Sequence, residues 1–219
     1  MAAAKETAGL GPRAAGRPPP APRLVLLALG FYGALFAIAL CWRLLVDGVM
    51  PLRATGASPA WPLAGRVASG LAFGVALVAA SRVWTARTAT GSRLAAELGA
   101  IVAGLTSGQA LGLAATSGLA EEAFFRGALQ PRVGWLAASL LFGLAHFHPR
   151  RTLRVWSLSA AIAGLGFGAL FELSGDLVAP ALAHALVNAL NLRWLARRGI
   201  AIGAWHRWLP LTARGTGRP

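Results

Sequence analysis

The chain has 219 residues, is 56% hydrophobic and only 13% charged, and has a mean hydropathy of +0.60. Soluble domains carry about 25% charged residues, so this composition excludes an ordinary soluble enzyme and a disordered chain. The 21 basic and 7 acidic residues give a net charge of +14. Because the total charge is so low, the excess predicts a polytopic membrane protein with basic loops and not a nucleic-acid-binding protein.

A membrane span needs about 20 apolar residues, so the chain predicts an all-α bundle of about six spans, within a range of five to seven. In chain order the pattern predicts a disordered basic tail and spans or part-spans that begin near Leu24 and Val67. A long proline-free helix follows, which bends near Thr106, and then a return from Trp135 and two final crossings. These elements divide into 1–22 (tail), 23–110 (N-terminal transmembrane and interfacial helices), 111–198 (core with the polar residues) and 199–219 (basic tail).

The basic residues also predict the orientation. With six crossings and the N-terminus in the cytoplasm, the inward-facing segments hold 16 of the 21 basic residues. The positive-inside rule therefore predicts that both ends of the chain are cytoplasmic. Almost all basic residues are arginine, which is typical of a GC-rich bacterial genome, so we expect a multi-pass protein of a bacterial inner membrane.

Two adjacent carboxylates, Glu121 and Glu122, interrupt an otherwise apolar helix. On insertion scales a charge at the centre of a span costs about 2.5–3.5 kcal/mol, and such residues usually face a polar cavity. Arg126 is four residues after Glu122 and shares its helix face, which predicts an ion pair between them. Glu121 lies about 100° around the helix and needs a different partner.

The turn near Val133 suggests that partner. Glu121 is 12 residues before Val133 and His146 is 13 residues after it. Two antiparallel helices would therefore bring Glu121 and His146 to the same depth, since each residue rises about 1.5 Å. His184 and Asn188 are four apart on one face of the last span, so the four side chains are predicted to converge in the inner half of the membrane, near a cytoplasmic opening.

This set of residues predicts hydrolysis of an amide bond. A carboxylate beside a neutral imidazole can activate water, and His184 with Asn188 can donate hydrogen bonds to an oxyanion. Alternatively, Glu121, His146 and His184 could hold a zinc ion that activates the same water. The HExxH pattern of zincins is absent, and both mechanisms stay open.

At these residues the sequence resembles the CPBP intramembrane proteases, a family of type II CAAX prenyl endopeptidases and bacterial Abi, or bacteriocin-processing, proteins. Its motifs EExxxR, FxxxH and HxxxN/D stand here as Glu121 to Arg126, Phe142 to His146 and His184 to Asn188. The resemblance implies an all-helical membrane fold with a buried polar active-site chamber, and an intramembrane endopeptidase activity. Glu121 and His146 would activate water, His184 and Asn188 would form the oxyanion site, and Glu122 with Arg126 would support the first helix.

The resemblance also implies which molecules the protein binds: membrane lipid and a membrane-associated or hydrophobic peptide or protein.

Two other functions use similar residues. Intramembrane Glu and His also serve as proton relays in proton-coupled transporters, and a catalytically silent scaffold or immunity factor would keep the same fold.

Overall fold

The computed structural model describes residues 22–48 and 61–208, with side chains described over 25–48 and 61–199. Within these ranges every element is helical, and the predicted all-α membrane bundle is confirmed. Most of the predicted tails lie outside the described residues. The helices are α1 (Pro22–Cys41, continued by a π turn at Trp42–Val46), α2 (Leu63–Arg87), α3 (Ala89–Val102), α4 (Ser107–Glu122, continued by a π segment at Ala123–Leu129), α5 (Gln130–Val133), α6 (Trp135–Ala145), α7 (Arg151–Ser174) and α8 (Val178–Trp208).

The sequence predicts about six membrane spans, but fewer of the described helices are long and apolar enough to cross a membrane. By length and composition three qualify, Val25–Val46, Leu63–Arg87 and Arg151–Ser174, or four if the bent pair α3 and α4–α5 counts as one span. The shortfall has a physical cause. α6 has only 11 residues, and α8 carries the polar side chains of His184, Asn188 and several arginines, which lower its hydropathy.

The predicted bend near Thr106 is present. α3 and the helix that starts at Ser107 are bent by 106°, and Gly104 takes a positive φ of 89° in the link. Thr106 then begins α4 with a capping box, in which Thr106 Oγ1 accepts from the Gln109 backbone and the Gln109 side chain accepts from the Thr106 backbone. These bonds satisfy free N–H groups at the new helix start. The predicted domain boundary at 110–111 falls inside α4 and stays a prediction.

Helix α8 forms the centre of the bundle and packs against α2, α3 and α4. Small residues allow this close approach. A Cβ on Gly70 of α2 would lie 2.6 Å from the Ala179 carbonyl oxygen, and one on Gly118 of α4 would lie 2.7 Å from the Ala185 backbone nitrogen. The backbones of α2 and α4 therefore touch α8 directly.

Gly164 and Gly168 lie on α7 with the small-xxx-small spacing that permits close approach by another helix. A Cβ on Gly164 would lie 3.4 Å from the Ser139 backbone oxygen of α6 and 3.1 Å from the side chains of Arg126 and Phe142. At Gly168 the nearest atoms belong to the side chains of Trp135 and Gln130. The two glycines thus make room for large side chains as well as for the backbone of α6.

Helix α1 packs against α4 and its π segment and runs parallel to them. Ala39 lies in a buried cluster with Ala123 and Ala128. Asp47, just after the π turn that continues α1, forms an ion pair with Arg132 of α5. The hydrogen bond from Arg132 holds the pKa of Asp47 below its usual value, with a further contribution from Arg43. Because residue numbers increase together along both helices, α1 crosses in the same direction as the helix that carries Glu121.

Candidate active site

The two adjacent glutamates are the last residues of α4, directly before the π segment Ala123–Leu129. π segments inside helices frequently mark functional sites. Glu121 is 7% exposed and Glu122 is fully buried. The two carboxylates diverge around the helix, as predicted, so each meets a different histidine.

Glu121 faces His146, the residue that follows the last turn of α6. The Nε2 atom of His146 lies 3.6 Å from Oε2 of Glu121, so the predicted match in depth is confirmed. The Nδ1 atom of His146 lies 2.8 Å from the Phe142 carbonyl oxygen. Since a carbonyl only accepts, Nδ1 carries the proton, and in the neutral ring Nε2 presents its lone pair to the carboxylate.

Neighbouring groups hold this histidine in place and leave it partly accessible. The Ser157 hydroxyl donates to the His146 carbonyl at 2.8 Å, and the Trp156 ring packs edge-on, with the ring centres 5.1 Å apart. The His146 side chain keeps 17% exposure and that of Glu121 keeps 9%. The two side chains are therefore not completely enclosed by the described residues.

Glu122 binds two partners that are fully or almost fully buried. Its Oε2 lies 3.2 Å from Arg126 Nε, which is the predicted ion pair, and its Oε1 lies 2.8 Å from His184 Nδ1. Arg126 also donates to the Gly164 carbonyl at 2.9 Å and places its guanidinium 4.6 Å from the centre of the Phe142 ring. The carboxylate thus ties α4 to α8, and Arg126 ties the π segment to α7.

His184 and Asn188 lie on one face of α8, as predicted, but the sequence does not reveal their partners. His184 bonds Glu122, while Asn188 Nδ2 donates to Ser117 Oγ at 2.9 Å. Ser117 is one helical turn before Glu121, a spacing that could have identified it. Tyr32 of α1 lies near Glu121, and only its place as the one tyrosine in the chain could have drawn attention to it.

The described residues do not fit the zinc site that the sequence left open. No group of three His, Cys, Asp or Glu side chains among them is arranged to hold a metal ion. The three residues named for zinc do not converge on one point, because His146 faces Glu121 while Nδ1 of His184 is bound to a fourth residue, Glu122.

Replacing Glu122 with Gln is expected to destabilise the protein. Removing one partner of a buried ion pair leaves the other charge uncompensated, which costs about 3–5 kcal/mol, and Arg126 is fully buried. The measurement is thermal unfolding of the purified protein in detergent. The matched control is Glu97→Gln on α3, because Glu97 is partly exposed and forms no ion pair with a described residue. Equal melting temperatures for the two variants would contradict the expectation.

Known proteins resemble this chain over the segment that holds the candidate active site. Residues 103–190 match the family model described as type II CAAX prenyl endopeptidase Rce1-like. A stretch of 73 residues is 38% identical to the uncharacterized protein YpbD of Bacillus subtilis and covers 32% of this chain and 37% of that protein, so the match spans little more than a third of the relative. No solved structure matches this chain. The matched segment, residues 103–190, contains all three motifs, so the resemblance drawn from the motifs is confirmed over that segment.

Proposed function

We propose that the protein is an intramembrane endopeptidase that hydrolyses a peptide bond of a membrane-associated protein or peptide. One observation carries the proposal: Glu121 Oε2 and His146 Nε2 face each other at 3.6 Å inside a helical membrane bundle. Oε2 of Glu121 is buried and has no hydrogen-bond donor among the described residues. Two facing acceptors need a shared donor, and water is the simplest one.

The geometry supports activation of that water. A water about 2.8 Å from each of the two atoms can donate one O–H to Glu121 and the other to His146. Its lone pairs then point away from both acceptors, toward a substrate carbonyl. As the water oxygen bonds to the carbonyl carbon, Glu121 takes the proton as general base. The proton then passes to the peptide nitrogen as the C–N bond breaks, which gives a carboxylate and an amine.

His184 and Asn188 are proposed to stabilise the oxyanion of the tetrahedral intermediate. Asn188 has two amide hydrogens and uses one on Ser117, so the other can donate to substrate. The bond from Nδ1 to Glu122 fixes the His184 ring plane and leaves Nε2 as the nitrogen for substrate, a donor when the ring is an imidazolium. Preorganised donors of this kind are worth about 10²–10³ in kcat each.

The proposed setting is the cytoplasmic membrane of a bacterium, with both chain ends inside. The match to a Bacillus protein and the arginine-rich composition support a bacterial source. The helices that can cross a membrane support a substrate that reaches the site from the membrane.

The test is to find the substrate and then remove His146. Membrane proteomes of a deletion strain complemented with wild-type protein or with His146→Ala are compared, and peptides that stay uncut in the variant identify the substrate. We expect the purified His146→Ala variant to lose about 10²–10⁴-fold in kcat on that substrate while it remains folded. Unchanged turnover by this variant would reject the proposal.

A further inference from the structure

The two ends of the bundle differ in how their arginines are paired. At the end that holds the α7–α8 turn, Arg43 and Arg132 pair with Asp47, and Arg66 pairs with Asp176. At the opposite end, nine arginines form no ion pair with any carboxylate of the described residues. They are Arg82, Arg87, Arg93, Arg150, Arg151, Arg154, Arg193, Arg197 and Arg198.

Two of these arginines converge on one tryptophan. The guanidinium carbon of Arg82, on α2, lies 3.9 Å from the centre of the Trp194 ring of α8, and that of Arg198 lies 5.3 Å from it. Arg82 also donates to the Leu190 carbonyl at 3.2 Å. The side chains of Arg82, Trp194 and Arg198, named the α2–α8 arginine site below, are all partly exposed.

Most hydrogen-bond donors of this site have no acceptor among the described residues. Each guanidinium carries five N–H donors, and the Leu190 carbonyl accepts from only one of them. The Nε atom of Arg198 is buried without a hydrogen-bond partner in the described part of the chain. The site therefore calls for an acceptor with several oxygens and negative charge, which is the chemistry of a phosphate group.

The position of the site identifies the source of that phosphate. Arg82 is five residues before the end of the apolar helix α2, about 7.5 Å along its axis. At that depth the guanidinium can reach the headgroup layer, where tryptophan is also enriched. The surrounding unpaired arginines favour an anionic lipid over a zwitterionic one, since each contributes about 1 kcal/mol of attraction near an anionic surface.

We propose that Arg82, Trp194 and Arg198 form a binding site for the phosphate of an anionic phospholipid headgroup at the end of the bundle where α2 ends. The lipid joins α2 to α8, the helix that carries His184 and Asn188. This site is separate from the Glu121–His146 pair, so the proposal does not depend on peptidase activity.

The experiment measures retained lipid by native mass spectrometry after delipidation, with phosphatidylglycerol and phosphatidylcholine added at equal concentration. We expect wild-type protein to retain phosphatidylglycerol preferentially, and Arg82→Gln with Arg198→Gln to lower that preference about tenfold, since charge-assisted hydrogen bonds are lost. The matched control is Arg87→Gln with Arg93→Gln, which removes the same charge from two exposed arginines at the same end and should keep most of the preference.

Three results would count against the lipid site. Equal losses in the two double variants would show a general charge effect and overturn the site. Inorganic phosphate that displaces phosphatidylglycerol at equal concentration would overturn the assignment to a lipid. If the first double variant fails to fold, Arg198→Lys takes its place: it keeps the charge but loses the planar fork, and an unchanged preference would count against the proposal.

Discussion

Glu121→Gln is expected to lower kcat by about 10²–10⁴-fold, the usual contribution of a positioned general base, while the melting temperature stays the same or rises. Gln cannot take a proton from water, but it fills the same space. Oε2 of Glu121 is buried and has no hydrogen-bond donor within the described part of the chain, so removing its charge relieves an unfavourable burial. The measurements are single-turnover cleavage of the identified substrate and thermal unfolding in detergent.

The neighbouring residue provides the matched control for this prediction. Glu122→Gln changes the same functional group one position along the helix, and there we expect the melting temperature to fall because Arg126 loses its counter-charge. A melting temperature that falls in Glu122→Gln but not in Glu121→Gln would show that Glu122 stabilises the fold while Glu121 takes part in the reaction. Proton flux in liposomes that depends on Glu121, without cleavage, would favour a transporter instead. Rescue of the cellular phenotype by Glu121→Gln would favour a silent scaffold.

The sequence predicts the parts of the site that depend on local helix geometry. The ion pair of Glu122 with Arg126 follows from a spacing of four residues on one helix. The pairing of Glu121 with His146 follows from nearly equal distances, 12 and 13 residues, to a tight turn between two helical arms. Gly134 makes that turn with a φ of 83°, which lets α6 return beside the π segment Ala123–Leu129.

The sequence does not predict contacts that depend on how distant helices are rotated against each other. His184 is 62 residues from Glu122, and Asn188 is 71 residues from Ser117. Which carboxylate meets which histidine is set by the orientation of α8, and that depends on packing at glycines such as Gly118. Fewer helices than the predicted six qualify as spans by length and composition for a related reason, since hydropathy falls where a helix such as α8 carries polar side chains.

Gly118→Ala is expected to disturb the site without changing any polar side chain. Gly118 is on α4 one turn before Glu121 and Glu122, and a Cβ there would lie 2.7 Å from the backbone nitrogen of Ala185. Ala185 in turn adjoins His184 on α8. Backbone atoms cannot rotate away as a side chain can, so α4 and α8 must separate.

We expect this overpacking to cost about 1–3 kcal/mol of stability. Activity should fall about 10²-fold, since a shift of about 1 Å in catalytic groups has that effect. The matched control is Gly112→Ala on the same helix, where a Cβ meets nothing within 4 Å. Replacing an exposed helical glycine with alanine stabilises by about 0.5–1 kcal/mol, so Gly112→Ala should melt at the same or a higher temperature and keep full turnover. Full activity in Gly118→Ala would show that the contact between α4 and α8 does not set the distance between the glutamates and the α8 pair, and that the site tolerates a looser bundle than the packing implies.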